Sequence, residues 1–160
     1  MSKPSPTIYP PYFQKYIDLV PDEELLSGFA NQAVIIKNLL GNITEEKSVY
    51  AYAPGKWSLK DLLQHMIDTE RIFCYRALCF ARKEAFHLPG FDENEYAANA
   101  SAKKRTWQSL KEEFIAVRNA TELLFKSFSE EELLRSGIAN NIPTSAVSMG
   151  VYSIRACLSS

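Results

Sequence analysis

Imidazole and thiol chemistry in this 160-residue chain must come from two histidines, His65 and His87, and three cysteines, Cys74, Cys79 and Cys157. Zinc and similar ions want three or four protein donors, so His65 alone is a weak ligand set. Cys79 follows His65 by 14 residues, about 21 Å along a helix, so the two cannot form a nucleophile–base pair. Cys74 is more than two turns from His65 as well. The cysteines lack CxxC spacing and lie in apolar stretches, which reads as buried thiols. His87, at the lip of a long connection, reads as a surface or packing residue.

Carboxylates are the other source of chemistry. On a helical wheel centred on Leu59, Met66, Phe73 and Ala77 share the apolar face. Asp61, Asp68, Arg71 and Tyr75 fall on the far side, and His65 lies on the flank with Thr69, Ile72 and Arg76. Glu70 falls almost at the apolar centre. A carboxylate there must be paired, hydrogen-bonded or metal-bound. It reads as a structural anchor, paired with Arg71, Arg76 or Arg118, or as a catalytic base. The acidic clusters Asp92, Glu93, Glu95 and Glu130, Glu131, Glu132 read as solvated charges.

Helices must position these groups. Prolines 4, 6, 10 and 11 mark an irregular N-terminal arm over residues 1–20, with Tyr9, Tyr12, Phe13 and Tyr16 as its packing residues. Asp22 is a cap for a first helix ending near Leu40, with Leu25, Leu26, Phe29, Val34, Ile35 and Leu39 as its stripe. Ser58, with Asp61 three residues on, caps a second helix reaching about Lys83. Residues 84–102 form a long crossover, with Phe86, Phe91 and Tyr96 to pack it and residues 86–96 to wall any pocket above His65. A third helix spans about 103–127, and a short one is capped by Ser129. Residues 145–157 begin a fourth. No strand pattern of any strength appears. The fold class is all-α, a four-helix bundle with a long crossover and a truncated fourth helix, in a single domain over residues 1–160.

At this point a resemblance emerges. The stretch APGKWSLKDLLQHMIDTERIFCYRALCFARKE followed by LPGFDENEYAANAS, with EEFIAVRNATELLFKSFSEEELLRSGIANN downstream, resembles the DinB-like (DinB/YfiT-like) superfamily of metal-dependent proteins. The resemblance implies an up-down-down-up four-helix bundle, usually dimeric, in a lineage that includes thiol-dependent transferases and hydrolases. It implies a divalent metal (Zn, Ni or Fe) held by three histidines, the first matching His65. The other two belong to a G-H-x-x-H-H block on the fourth helix, where this chain reads VSMGVYSIRACLSS. Asp68, Glu70 and Arg71 match the family's D-x-E-R block and take supporting roles by that resemblance. Two readings follow: a metal-dependent enzyme acting on a small molecule, or a non-catalytic bundle lacking a complete metal site, with metal absent or weakly bound.

Composition narrows the partners. With 18 Lys or Arg against 19 Asp or Glu, the formal net charge is −1. No long-range positive field draws nucleic acid, and Lys103, Lys104 and Arg105 are too few for a groove-tracking surface. No apolar run is long enough to span a membrane, and the first residues lack the apolar core of a signal peptide. A cytoplasmic homodimer is the expectation, the short fourth helix leaving an apolar groove for self-association.

Overall fold

The computed structural model of the chain describes residues 25–156. The expected N-terminal arm, the Asp22 cap and Cys157 lie outside the described residues. The elements in chain order are α1 (Leu25–Gly41), α2 (Glu45–Ser48), α3 (Leu59–Ala81), α4 (Glu93–Asn99), a 3-10 turn (Ala102–Lys104), α5 (Trp107–Ser127), α6 (Glu130–Leu134), β1 (Ser136–Ala139), β2 (Ile142–Ser145) and α7 (Ala146–Ala156).

The long α3 lies at the centre, packed against α5 and α7, with α1 closing on both. Its start is fixed by the Ser58–Asp61 capping box: Ser58 donates its backbone N–H to Asp61 at 2.9 Å, and its hydroxyl accepts from the Asp61 backbone. Two apolar clusters form along it. One gathers Ile36, Leu40, Leu63, Met66, Ile67, Trp107, Leu110, Phe114 and Val117 at the end that carries His65. The other gathers Phe29, Ala77, Phe80, Phe125, Phe128, Leu133, Val147 and Val151 with their neighbours. Lys60 is buried where these elements meet, donating to Glu45 and to the Arg105 carbonyl (2.6 Å), while Glu45 accepts from the Trp107 backbone at 2.6 Å. A two-residue electrostatic clip therefore fixes α2 against the starts of α3 and α5.

Four local expectations are corrected. The buried stripe of α1 is Phe29, Gln32, Ile36 and Leu40, whereas Val34, Ile35 and Leu39 stand 61%, 61% and 59% exposed. The run AVIIKNLL is apolar on most sides, so spacing alone selects the wrong face. The α5 helix begins at Trp107, capped by Thr106, because the 3-10 turn intervenes and Ser101 sits at φ 53°. In the crossover, residues 93–99 are helical. Phe91 meets Tyr96 edge-on at 5.1 Å, but Phe86 is 79% exposed. Finally, residues 136–145 form an antiparallel hairpin in register Ala139↔Ile142 rather than a plain loop. Asn140 and Asn141, at φ 52° and 60°, supply the two left-handed positions that such a tight hairpin turn needs. The Leu88 backbone joins its edge, donating to Ile138 O and accepting from Asn140 N, each at 2.9 Å. Gly137 lies so close to Phe80 that a Cβ there would stand 2.4 Å from the ring.

Every described side chain of α7 from Ala146 to Ser153 is buried. Val34, Ile35 and Leu39 of α1 are among the exposed large apolar side chains of the described residues.

Candidate functional site

His65 is half-buried on α3, its ring 4.9 Å from that of Trp57 and tilted by 46°. Its Nδ1 lies 3.4 Å from the Thr69 hydroxyl one turn on. Burial pushes its pKa below the ordinary histidine value, against the opposing pull of Glu93 and Asp68, so the ring is neutral at pH 7. One nitrogen donor is thus presented at the end of the helix.

The D-x-E-R block points elsewhere. Glu70 is 1% exposed and faces α5, receiving the Thr121 hydroxyl on Oε1 at 2.6 Å and pairing through Oε2 with Arg118 Nη2 at 2.9 Å. Of the three cationic partners open at the sequence level, Arg118 is the one found. The guanidinium also lies over the Phe29 and Phe114 rings, at 5.4 and 5.6 Å. Burial raises the Glu70 pKa, and Arg118 and Thr121 oppose that rise. Cys74 Sγ lies 3.1 Å from the same Thr121 oxygen, its thiol pushed up to about 11 chiefly by burial. A thiol so rarely ionised is not a nucleophile at neutral pH.

Asp68 and Arg71 serve an edge network between α3 and α5. Asp68, its pKa raised by burial, accepts from Gln64 at 3.0 Å, and Gln64 accepts from Arg105 at 2.8 Å. Arg105 and Arg71 both pair with Glu113. Burial pushes the Glu113 carboxyl up, yet the two cations hold it below its ordinary value. Arg76, on the His65 flank, donates to the Pro89 carbonyl at 2.8 Å and lies over Phe73 and Phe91, which ties the crossover to α3. His87 is exposed.

A metal can be tested against these donors. Among the described residues, no group of three His, Cys, Asp or Glu side chains is placed to hold an ion. Glu70 sits about 140° around the helix from His65, Glu70 and Asp68 already take hydrogen bonds within the bundle, and Arg71 is a cation. The described residues do not fit a resident Zn, Ni or Fe ion.

Sequence reasoning missed an open cleft of about 710 Å³ beside Trp57. The 50–57 connection, Asp61, Lys103 and three residues of α4 (Asn94, Ala97 and Ala98) line it, and His65 does not. Of the crossover residues 86–96, Asn94 lines this cleft, whereas Phe86, Phe91 and Tyr96 do not. The Pro54-Gly55 turn was the available signal.

No helix of the described residues is long and apolar enough to cross a membrane. No curated protein matches the chain. Among solved structures it is similar to YfiT from Bacillus subtilis, described as a probable metal-dependent hydrolase with an unusual four-helix bundle topology. That match has a TM-score of 0.66 at 13% identity, over 83% of this chain and 78% of that one. It is also similar to a mycothiol-dependent maleylpyruvate isomerase, with a TM-score of 0.68 at 14% identity, over 87% of this chain and 59% of the isomerase. At these identities the likeness establishes a mostly helical fold of the YfiT kind. The family model for the DinB superfamily matches residues 34–152, and with that span, the HxxDxER block on α3 and the shared fold, the chain belongs to the DinB superfamily.

Proposed function

We propose that this chain is a non-catalytic, binding member of the DinB superfamily, with α1, α3, α5 and the shorter α7 as the four bundle members of one domain. The observation that carries it is the donor set: one neutral imidazole at His65, with the block's three charged side chains turned to partners on α3 and α5. Under this reading Glu70 is a core anchor, Asp68 and Arg71 are edge anchors, and His65 is a packing partner of Trp57.

Metal content measured by atomic emission on untagged protein tests the proposal. Substoichiometric Zn, Ni and Fe, unchanged in His65→Ala, is expected. Stoichiometric metal lost in that variant would overturn it.

A second reading keeps metal-dependent chemistry, as a hydrolase or thiol-dependent transferase, with the missing donors supplied by a second copy or by residues outside 25–156. The neutral His65 ring favours it, since that is the ligating form. A bound divalent ion would there lower the pKa of a water or thiol. Self-association belongs to both readings, through the exposed Val34, Ile35 and Leu39 of α1. A dimer by sedimentation, lost in Ile35→Glu, is the expected result, and a cytoplasmic location accompanies it.

A further inference from the structure

The cleft beside Trp57 is built from three kinds of group. Aromatic faces come from Tyr50, Tyr52 and Trp57, the first two largely exposed. Positive charge comes from Lys56 and Lys103. Small walls come from Ala51, Ala53 and Gly55 on one side and from Ala97 and Ala98 on the other. Its volume falls within the roughly 300–1,000 Å³ of small-molecule sites.

Local structure explains how these groups converge. Ala53-Pro54-Gly55-Lys56 is a tight turn, closed by Lys56 N donating to Ala53 O at 3.2 Å. Proline at the second position and glycine at φ 75° in the third are the residues a type II turn demands. The turn lifts Lys56 so that its Nζ stands 5.9 Å from the centre of the Tyr52 ring. Tyr50 is fixed because its carbonyl accepts from Leu59 N at 3.2 Å, at the start of α3. Opposite, Asp92 caps α4 through Asn94 N and Glu95 N, which sets the Asn94, Ala97, Ala98 face toward the turn. Alanines there leave room that larger side chains would fill.

The charges select the sign of a ligand. Among the described residues Asp61 is the one acid in the lining, and its Oδ2 already accepts from the Ser58 backbone at 2.9 Å and the Ser58 hydroxyl at 2.7 Å. Lys103 lies 3.7 Å from that same oxygen while its side chain remains 71% exposed. The described lining thus carries two ammonium groups against one carboxylate, and that carboxylate is engaged in a helix cap. A cation would meet net repulsion despite the aromatic faces. A flat anion would stack on the rings and meet the lysines at its edge.

We propose that this cleft is a binding site for a small aromatic acid, a planar ring bearing a carboxylate or phosphate. It goes beyond the metal question, because His65 is not in its lining. The metal measurement and the test below therefore succeed or fail independently.

The chain carries two indoles, and only one is at the cleft: Trp107 is buried and donates to Leu40 O at 3.3 Å. Titrating the intact protein with phenyl phosphate while following both indole N–H signals by NMR supplies an internal control. Saturable movement of the Trp57 signal in the millimolar range, with Trp107 fixed, is expected for so small a ligand. Lys56→Ala and Lys103→Ala should each weaken binding about fivefold, the effect of removing one partly solvated charge near contact distance. Benzamidine, with the same ring and the opposite charge, and inorganic phosphate, with no ring, should leave Trp57 unmoved. An unmoved Trp57 under phenyl phosphate, equal binding of either comparator, or full affinity in the double lysine variant would each overturn the proposal.

Discussion

One helix carries two polar stations that differ in almost every respect. Glu70 sits sealed between α3 and α5, with a guanidinium and a hydroxyl on its two oxygens. His65, five residues nearer the start of α3, is half-buried, with one long contact to Thr69 and a ring against Trp57. The stretch from His65 to Arg71 therefore divides into a buried carboxylate with matched partners and an imidazole with few. A buried charge must be satisfied for the chain to fold, whereas a half-exposed neutral ring need not be. On the proposed reading, the better-partnered station serves stability.

The largest break of this comparison is Glu70→Ala. It leaves the 2%-exposed side chain of Arg118 without its carboxylate, and a loss of about 3–5 kcal/mol in urea unfolding is expected. His65→Ala should cost clearly less. If the histidine variant proved as damaging as the glutamate one, the division of roles along α3 would collapse.

Thr121→Val sharpens the same station at smaller amplitude. The hydroxyl donates to Glu70 at 2.6 Å, and lies 3.0 Å from Val117 O and 3.1 Å from Cys74 Sγ. With a single proton it can satisfy one acceptor, and the carboxylate is the strongest of them. Replacing it with the isosteric valine keeps the packing and strands one oxygen of Glu70. About 1–3 kcal/mol of destabilisation is expected. A neutral result would mean that Arg118 alone holds the carboxylate.

Much of this was legible in the chain before any coordinates. The Ser58 capping box, the Ser129 cap, the extent of α3 and the misfit of Glu70 on an apolar face all follow from residue types at helical spacing. Arg118 could be named only among three candidates, because a partner on another helix depends on rotation and axial register that no local pattern encodes. The α1 stripe failed for a related reason: where four successive residues are apolar, the neighbours decide which face is buried. The hairpin was hidden because its strands have only four residues each, too few for alternation to register. Asn140-Asn141 was its one local sign. The cleft, finally, is a junction between residues 50–57 and 94–103, and its lining becomes visible only once the crossover is folded back.

The smallest effect concerns the pH response of His65. Burial favours its neutral form, so the folded-state pKa lies below the unfolded value near 6.5. The unfolded chain thus binds more protons in this window. The contribution to stability is complete above about pH 6.5 and is lost as pH falls through the folded pKa. Asp68 and Glu70, both raised by burial, slope the other way at lower pH, since the folded state holds their protons more tightly. The raw melting curve mixes these signs. The difference between the native chain and His65→Asn isolates the histidine: the melting temperature of the native chain should fall relative to the variant as pH drops from 7 toward 5. Glu93→Gln, removing a charge that favours the protonated ring, should steepen that fall. A difference that stays flat with pH would place the imidazole in water, and with it remove the physical contrast between the two stations of α3.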